Sequence, residues 1–166
     1  EIYEKLSKMN IQLLVRPHGA NTSQFENLNK KIKIYPATGE LPDTLEAKES
    51  MTATLKYSDF SVGINTTAMI DSIILGTPCI SLVKKEFKDN QVDTPHFNSV
   101  QKEGIFIEAH NIKELINKIA KFNKHENKNL FEKMHKFVIE FCRPFGADVS
   151  AGKKAAKEIE ELIKNN

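Results

Sequence analysis

A run of small polar residues, Asn65-Thr66-Thr67, stands between an apolar segment and a helix-like segment. The apolar residues 60–64 have the length of a buried strand, and the apolar spacing of residues 68–75 predicts a helix. At the start of a helix, backbone N–H groups lack intrahelical partners and the positive end of the helix dipole is exposed. Such a turn is therefore a ready site for an anion, and we expect it to bind the phosphate groups of a nucleotide.

Cationic and hydroxyl-bearing residues follow the other predicted strands. Ligands of an open parallel sheet bind outside the carboxyl ends of its strands. At those positions the sequence has Arg16-Pro17-His18-Gly19, Thr38-Gly39-Glu40 and Lys84-Lys85. Only Glu40 is a carboxylate, whereas Mg²⁺ and Ca²⁺ sites use several oxygen ligands, and no Cys/His cluster has metal spacing. This set predicts an anion site and no metal site.

Arg16 and His18 each have a structural and a functional interpretation. Arg16 could pair with a surface acid, but its position at the end of an apolar strand beside Pro17 favours contact with the ligand. His18 could be a loop histidine without a chemical role, and a phosphate contact or a proton transfer fits its position equally well. We take His18 as the candidate catalytic residue.

Asp71 and His96 complete the candidate binding set. Asp71 follows Thr67 by one helical turn, and its carboxylate accepts a hydrogen bond either from a neighbouring loop or from a ribose or sugar hydroxyl. His96 comes after Thr94-Pro95 at a predicted helix start, where a structural role is more common. Helix capping by the threonines is compatible with anion binding, because both use the same N–H groups. The candidate ligand-binding residues are Arg16, His18, Asn65, Thr66, Thr67, Asp71 and His96.

The elements that must position these residues alternate along the chain. Apolar runs of strand length occupy residues 11–15, 32–35, 60–64, 79–83 and 105–107, with helix-like segments between them. This alternation predicts an α/β fold, a Rossmann-like three-layer sandwich with a parallel sheet of about five strands. Residues 84–95 are polar and lack periodicity, which predicts a mobile loop. We assign residues 1–150 to this domain, and residues 151–166 to a C-terminal helix that packs back on the domain or crosses from it.

Composition limits the classes of partner. Lys+Arg total 24 and Asp+Glu 22, so the net charge of +2 is no argument for a nucleic-acid partner, and we expect none. No apolar run reaches the ~20 residues of a membrane span. Cys79 and Cys142 predict free, buried thiols in a reducing compartment. The lysine-rich residues 113–136 predict the solvated face of two amphipathic helices, and contact with anionic lipid head groups is a weaker alternative.

Three well-known motifs are missing from the sequence: GxGxxG after a strand, GxxxxGK[ST] and GxSxG. Their absence weakens a dinucleotide-binding interpretation and excludes P-loop NTPases and nucleophile-elbow hydrolases. The chain begins at Glu1 inside a helix-like segment and shows no signal peptide. We therefore expect a domain excised from a longer cytoplasmic protein.

Three stretches resemble the C-terminal, donor-binding half of GT-B fold glycosyltransferases that build bacterial surface polymers, including transferases of the CDP-glycerol glycerophosphotransferase kind. These stretches are LLVRPHG (13–19), YSDFSVGINTTAMIDSIILGTPCISL (57–82) and EFCRPFGADVSAGKKAAKEIEEL (140–162), of which the second is the most specific. UDP-N-acetylglucosamine 2-epimerases share the same half-fold and are an alternative. Retaining GT-B enzymes and these epimerases use glutamates in this region, whereas this sequence has Asp71 and no glutamate between Tyr57 and Val83.

The resemblance implies a nucleotide-sugar or CDP-alditol as donor substrate and no further cofactor. It implies that Arg16 and His18 contact the donor diphosphate, that Asn65, Thr66 and Thr67 hold the distal phosphate, and that residues 35–41 flank the base. It also implies an N-terminal acceptor-binding half as partner, which supplies the general base, and a cytoplasmic location with possible peripheral contact at the inner face of the membrane. A non-catalytic Rossmann-like binding module remains a further alternative.

Overall fold

The computed structural model describes residues 2–17, 25, 32–35 and 44–165. Helices and strands alternate along these residues, so the predicted α/β class is confirmed. The strands are β1 (Leu14–Val15), β2 (Lys33–Ile34), β3 (Ser61–Gly63), β4 (Cys79–Leu82) and β5 (Phe106–Ala109). The helices are α1 (Ile2–Lys8), α2 (Leu45–Lys56), α3 (Thr67–Ile74), α4 (Pro95–Lys102), α5 (Ile112–Lys121), α6 (Lys128–Phe137) and α7 (Ala151–Lys164). A 3₁₀ helix (Lys85–Asn90) follows β4, and a π-helical turn (Val138–Cys142) follows α6.

The described strands form two parallel sheets. One sheet has the order β3-β4-β5, with Ser61 opposite Cys79 and Cys79 opposite Phe106. The other pairs β1 with β2, and Leu14 lies opposite Lys33. The predicted parallel pairing is therefore confirmed, but the single sheet of about five strands is wrong, because the main sheet has three.

The end of α1 explains why β1 is shorter than predicted. Asn10 has a φ of 57°, and the Ile11 amide donates to the Leu6 carbonyl at 3.0 Å. A residue in the left-handed conformation ends the helix in this way, and Ile11, the first residue of the apolar run 11–15, takes part in the helix end and not in a strand. Only Leu14 and Val15 remain for pairing, and Leu14 is 40% exposed. Among the described residues, no ladder joins β1 to β3.

Both faces of the three-stranded sheet are covered. Consecutive residues of a strand point to opposite faces, so Cys79 and Ile80 belong to different apolar clusters. The Cys79 cluster joins β4 to α3, α4 and α6, and its buried members are Met69, Ile73, Cys79, Phe97, Val100, Ile105, Met134 and Phe137. The Ile80 cluster joins β4 and β5 to α5 through Ala109 and Leu115. This layering fixes the carboxyl ends of the strands relative to the starts of the helices that follow.

Buried hydroxyls tie α2 and α3 to this sheet. Ser61 Oγ donates to Ser72 Oγ at 2.7 Å, and Ser72 Oγ donates to the Thr77 carbonyl at 3.0 Å. Thr77 Oγ1 in turn donates to the Leu55 carbonyl at 2.7 Å. Each of these polar groups has a partner, so their burial carries no desolvation penalty from unmade hydrogen bonds. The chain of hydroxyls holds the β3–α3–β4 unit in one arrangement.

The C-terminal helix begins as predicted, since the Ser150 side chain accepts from the Lys153 amide at 3.4 Å. None of its residues is buried, and Ile159, Leu162 and Ile163 form an exposed apolar stripe on it. Cys79 is buried as predicted, whereas Cys142 is only partly covered. Within the described ranges, no helix combines the length and apolar character needed to cross a bilayer.

Candidate anion-binding site

A small cavity of about 170 Å³ opens between the first turns of α3 and α4. It lies at the carboxyl end of β3, where Asn65 comes two residues after Gly63. Its floor is apolar, and its polar residues are Asn65, Thr66, Thr67 and His96. None of the described residues lining this cavity is acidic. The cavity thus offers hydrogen-bond donors and helix starts to a negatively charged group.

Gly63 allows α3 to start so close to β3. A Cβ at this position would stand 2.6 Å from Met69 Cγ and 2.8 Å from Met69 Sδ, well inside van der Waals contact. Met69 belongs to α3, is 3% exposed and lines the cavity. The missing side chain of Gly63 therefore sets the distance between the strand end and the first turn of α3.

The N-cap residue of α3 leaves its own side chain uncommitted. Thr66 has an extended backbone, with φ −146° and ψ 148°, and its carbonyl accepts from the Met69 amide at 3.0 Å. In the part of the chain that the structure describes, the Thr66 side chain makes no capping hydrogen bond. Thr66 and Thr67 are both exposed and both line the cavity, so the start of α3 forms part of its wall.

The start of α4 has the same character. Its N-cap, Thr94, directs Oγ1 to the Gln91 carbonyl at 2.6 Å instead of capping the helix. Pro95 occupies the first helical turn, where its lack of an N–H costs nothing. His96 follows at the cavity wall. Two positive helix-dipole ends thus meet at one cavity, and both favour an anion there.

Helices α2, α5 and α7 have side-chain caps at their first turns. In α5, the Asn111 side chain accepts from the Glu114 amide at 2.9 Å and Glu114 Oε2 accepts from the His110 amide at 2.8 Å. Asn111 thus caps the helix, and Glu114 accepts from the amide of the residue before the N-cap, one position earlier than in a capping box. In α2, Thr44 Oγ1 accepts from the Ala47 amide at 3.1 Å. α6 resembles α3 and α4, since its N-cap Asn127 makes no side-chain cap within the described residues.

Asn65 and His96 are in direct contact. Asn65 Nδ2 donates to the Asn90 carbonyl at 2.6 Å and lies 3.1 Å from His96 Nε2. A carbonyl can only accept, so the network assigns the amide orientation of Asn65. His96 Nε2 then accepts the second Nδ2 hydrogen, which places the imidazole proton on Nδ1. These contacts join Asn65 to Asn90 and His96, which lie 25 and 31 positions later in the sequence.

Gln91 was missed by the sequence analysis, and it lies directly behind this pair. Its side chain is fully buried, and Nε2 donates to the Ile64 carbonyl at 2.5 Å and the Leu82 carbonyl at 3.1 Å. These carbonyls are at the carboxyl ends of β3 and β4. A glutamine in a polar, non-periodic segment gives no sequence signal of burial, because its partners are contributed by distant strands.

Residues 84–95, predicted as a mobile loop, contain the 3₁₀ helix and are anchored to the sheet through Asn90 and Gln91. Residues 85–90 are therefore helical where the sequence predicted a loop. Ion pairs add to the local order, since Lys84 pairs with Glu86 and Lys88 with Asp93. Such surface pairs contribute little individually, so the contacts of Asn90 and Gln91 are the main anchors.

Four of the predicted binding residues, Asn65, Thr66, Thr67 and His96, line the same cavity. The guanidinium of Arg16 donates to Ser50 Oγ at 3.2 Å and Thr54 Oγ1 at 2.8 Å, both on α2, and lies 5.0 Å from the centre of the Tyr35 ring. Arg16 does not appear among the described residues that line the cavity. His18, the candidate catalytic residue, lies outside the described residues, as do residues 36–41 of the predicted base-flanking loop.

Asp71 faces the C-terminal segment. Partial burial raises the pKa of its carboxyl group. Burial also raises the pKa of the Cys142 thiol. The charge of Arg143 lowers this pKa, and the charge of Asp71 raises it by a smaller amount. Asp71 is thus close to Cys142, and it is not one of the described cavity-lining residues. Among the described residues, no group of three or more His, Cys, Asp or Glu side chains could hold a metal ion.

A larger cavity of about 380 Å³ lies beside α5. Two lysines line it, and one of them, Lys118, pairs with Glu114 at 3.0 Å and also donates to the Glu108 carbonyl. The start of α5 is capped by the hydrogen bonds described above. The carboxylate of Glu114 makes this cavity less suited to an anion than the one between α3 and α4, where none of the described lining residues is acidic.

Comparisons of the chain with models of protein families, with curated proteins and with solved structures find no match.

Proposed function

We propose that this chain is the donor-binding domain of a GT-B type glycosyl- or glycerophosphotransferase of bacterial surface polysaccharide synthesis. The observation that carries the proposal is the convergence of two helix starts and the Asn65–His96 pair on one cavity at the carboxyl end of β3. Ligands of open α/β sheets bind at this end. The identity of the ligand as a nucleoside-diphosphate donor rests on the sequence resemblance of residues 57–82.

The strand orders are compatible with a Rossmann-like sheet. Both described sheets, β1-β2 and β3-β4-β5, are parallel, and the crossovers of the three-stranded sheet contain α3 and α4. Open parallel sheets of this kind bind ligands outside the carboxyl ends of their strands.

The chemistry of a transferase suits these donors. When the bond to the transferred group breaks, the leaving nucleoside diphosphate gains negative charge. The amides of the first turns of α3 and α4 and the hydroxyls of Thr66 and Thr67 stabilise that charge without reorganising. Asn65 orients His96 so that the imidazole donates through Nδ1. The donor is thereby held with its leaving group at the positive ends of two helices.

The exposed stripe of α7 supports a second folded half as partner. Ile159, Leu162 and Ile163 are all more than half exposed and lie on one side of a helix that buries nothing in the described chain. Apolar residues grouped in this way mark interaction surfaces. In the proposed enzyme an acceptor-binding half covers this stripe and contributes the general base, so the 166-residue chain alone binds a donor weakly and does not turn it over.

Calorimetric titration with UDP, CDP, GDP and CMP tests the proposal. We expect the chain to prefer one nucleoside diphosphate, and Thr67→Val to raise its Kd at least about tenfold, since hydrogen bonds to charged groups contribute roughly 1.5–3 kcal/mol. The matched control is Thr52→Val, an exposed threonine of α2 outside the cavity, which leaves the Kd unchanged. Absence of binding to all four nucleotides would favour a non-catalytic module and overturn the assignment.

A further inference from the structure

Gln91 is an unusual residue for a protein interior. Its side chain is 0% exposed, and Nε2 has acceptors in the Ile64 carbonyl, the Leu82 carbonyl and, at 3.4 Å, Ser81 Oγ. Its Oε1 is buried and has no hydrogen-bond partner among the described residues. Buried polar atoms are nearly always paired, so an orphaned oxygen requires an explanation.

The backbone of Gln91 makes a second set of contacts. Its carbonyl accepts from the Thr94 amide at 3.0 Å and from Thr94 Oγ1 at 2.6 Å. Thr94 is the N-cap of α4, and His96 lies in the first turn of that helix. One residue therefore connects the carboxyl ends of β3 and β4 with the start of α4.

The neighbour of Gln91 completes the connection. The Asn90 carbonyl accepts from Asn65 Nδ2, and the same nitrogen reaches His96 Nε2. Asn65 itself follows Ile64, whose carbonyl Gln91 holds. Gln91 therefore positions both residues. It positions Asn65 through the end of β3 and through its neighbour Asn90, and it positions His96 through Thr94.

We propose that Gln91 is a positioning residue, which holds the Asn65–His96 pair in the geometry that receives the diphosphate; this inference rests on the proposed function of the cavity. An apolar residue would fill the same interior position without leaving an orphaned oxygen. Departures from interior packing rules of this kind are expected next to functional sites. The glutamine suits this position because its neutral amide has two N–H donors, so it can donate to both strand ends without placing a charge in the interior.

The test compares wild type with Gln91→Met, which keeps a similar volume and removes both donated hydrogen bonds. Nitrogen-15 NMR of the His96 ring reports whether Nε2 still accepts a hydrogen bond, and it needs no ligand. We expect Gln91→Met to remove this signature and to raise the Kd for the preferred nucleoside diphosphate at least tenfold. An unchanged His96 ring signal in the folded variant overturns the proposal.

Ser72→Ala is the matched control, because Ser72 is equally buried and hydrogen-bonded but lies in the hydroxyl chain away from the cavity. It should lower stability while leaving the His96 signal and the Kd as in wild type; a change in either under Ser72→Ala would show a general structural effect and overturn the positioning role. Should Gln91→Met fail to fold, Gln91→Asn, one methylene shorter, serves in its place with the same two expectations. If wild type binds none of the nucleotides, the proposed function fails, and the ring signal still decides whether Gln91 positions His96.

Discussion

Gly63→Ala tests how the end of β3 positions the first turn of α3. Gly63 is not among the glycines with positive φ, so the backbone there accepts an alanine, and the strain comes only from close contacts of the added Cβ with neighbouring atoms. Its Cβ would meet Met69 Cγ at 2.6 Å and Sδ at 2.8 Å, and Thr66 Cγ2 at 3.4 Å. Met69 must therefore move by most of an ångström to restore ordinary contact, or α3 must move with it.

The cost follows from the surroundings of Met69. Its cluster includes Ile73, Phe97 and Val100, but Met69 also lines the cavity, and a thioether side chain adapts better than a branched one. Overpacking of this kind costs about 1–3 kcal/mol, and we expect about 2 kcal/mol for Gly63→Ala. Urea unfolding should show a lower midpoint with an unchanged m-value. The control is Gly152→Ala in α7, where the nearest atom is 3.9 Å away and the helix gains roughly 0.5–1 kcal/mol.

A double-mutant cycle decides whether Met69 is the cause. Met69→Ala removes both clashing atoms and alone costs about 2–5 kcal/mol as a cavity-forming substitution. In that background Gly63→Ala should cost close to nothing, which gives a coupling free energy of about 2 kcal/mol. If Gly63→Ala costs the same in both backgrounds, the close approach of β3 and Met69 does not position α3 and the reasoning is refuted.

Two further predictions concern the core and the C-terminal helix. Burial raises the pKa of the Cys79 thiol to about 12, although its hydrogen bond with Ser61 lowers it, from an ordinary value of 9.0. Above pH 9.0 the folded state keeps a proton that the unfolded state loses. The free energy of unfolding therefore has its full value below pH 9.0 and falls above it by about 1.4 kcal/mol per pH unit. Urea unfolding of wild type and Cys79→Ala between pH 8 and 11 should show this slope only in wild type, and equal slopes would contradict it. Ile163→Ala in α7, at a side chain 72% exposed, should change the free energy of unfolding by less than about 0.5 kcal/mol, whereas Ile73→Ala, at one 2% exposed, should cost roughly 2–5 kcal/mol. A large cost of Ile163→Ala in the isolated chain would mean that α7 is packed and does not offer a free surface.

Parts of the fold were predictable from local sequence. The β3–α3–β4 unit follows from short apolar runs, the polar turn and the Gly76-Thr77-Pro78 break, all of which act over a few residues. Ser150 predicts the start of α7 because an N-cap acts within one helical turn. The length of β1 was not predictable, because the end of α1 competes for the same apolar run.

The candidate site was predictable only in part. Asn65, Thr66 and Thr67 are consecutive, so their common location follows from the helix start. The contact with His96, which lies 31 positions after Asn65, depends on the packing of α4 beside α3, and the order of the strands decides that packing. The burial of Gln91 could not be predicted from the sequence. Glutamine side chains are mostly exposed in proteins, and this one is buried because carbonyls from two strands accept its hydrogen bonds.

The central claim is that the starts of α3 and α4 bind one diphosphate together. Titration of the ¹⁵N-labelled chain with the preferred nucleoside diphosphate, followed through backbone amide signals, tests it most directly. The account predicts that the amides of Thr67 and Ala68 and those of His96 and Phe97 shift in parallel with a single Kd. Shifts confined to the cavity beside α5, around Lys118 and Lys121, or to only one of the two helix starts, would contradict it.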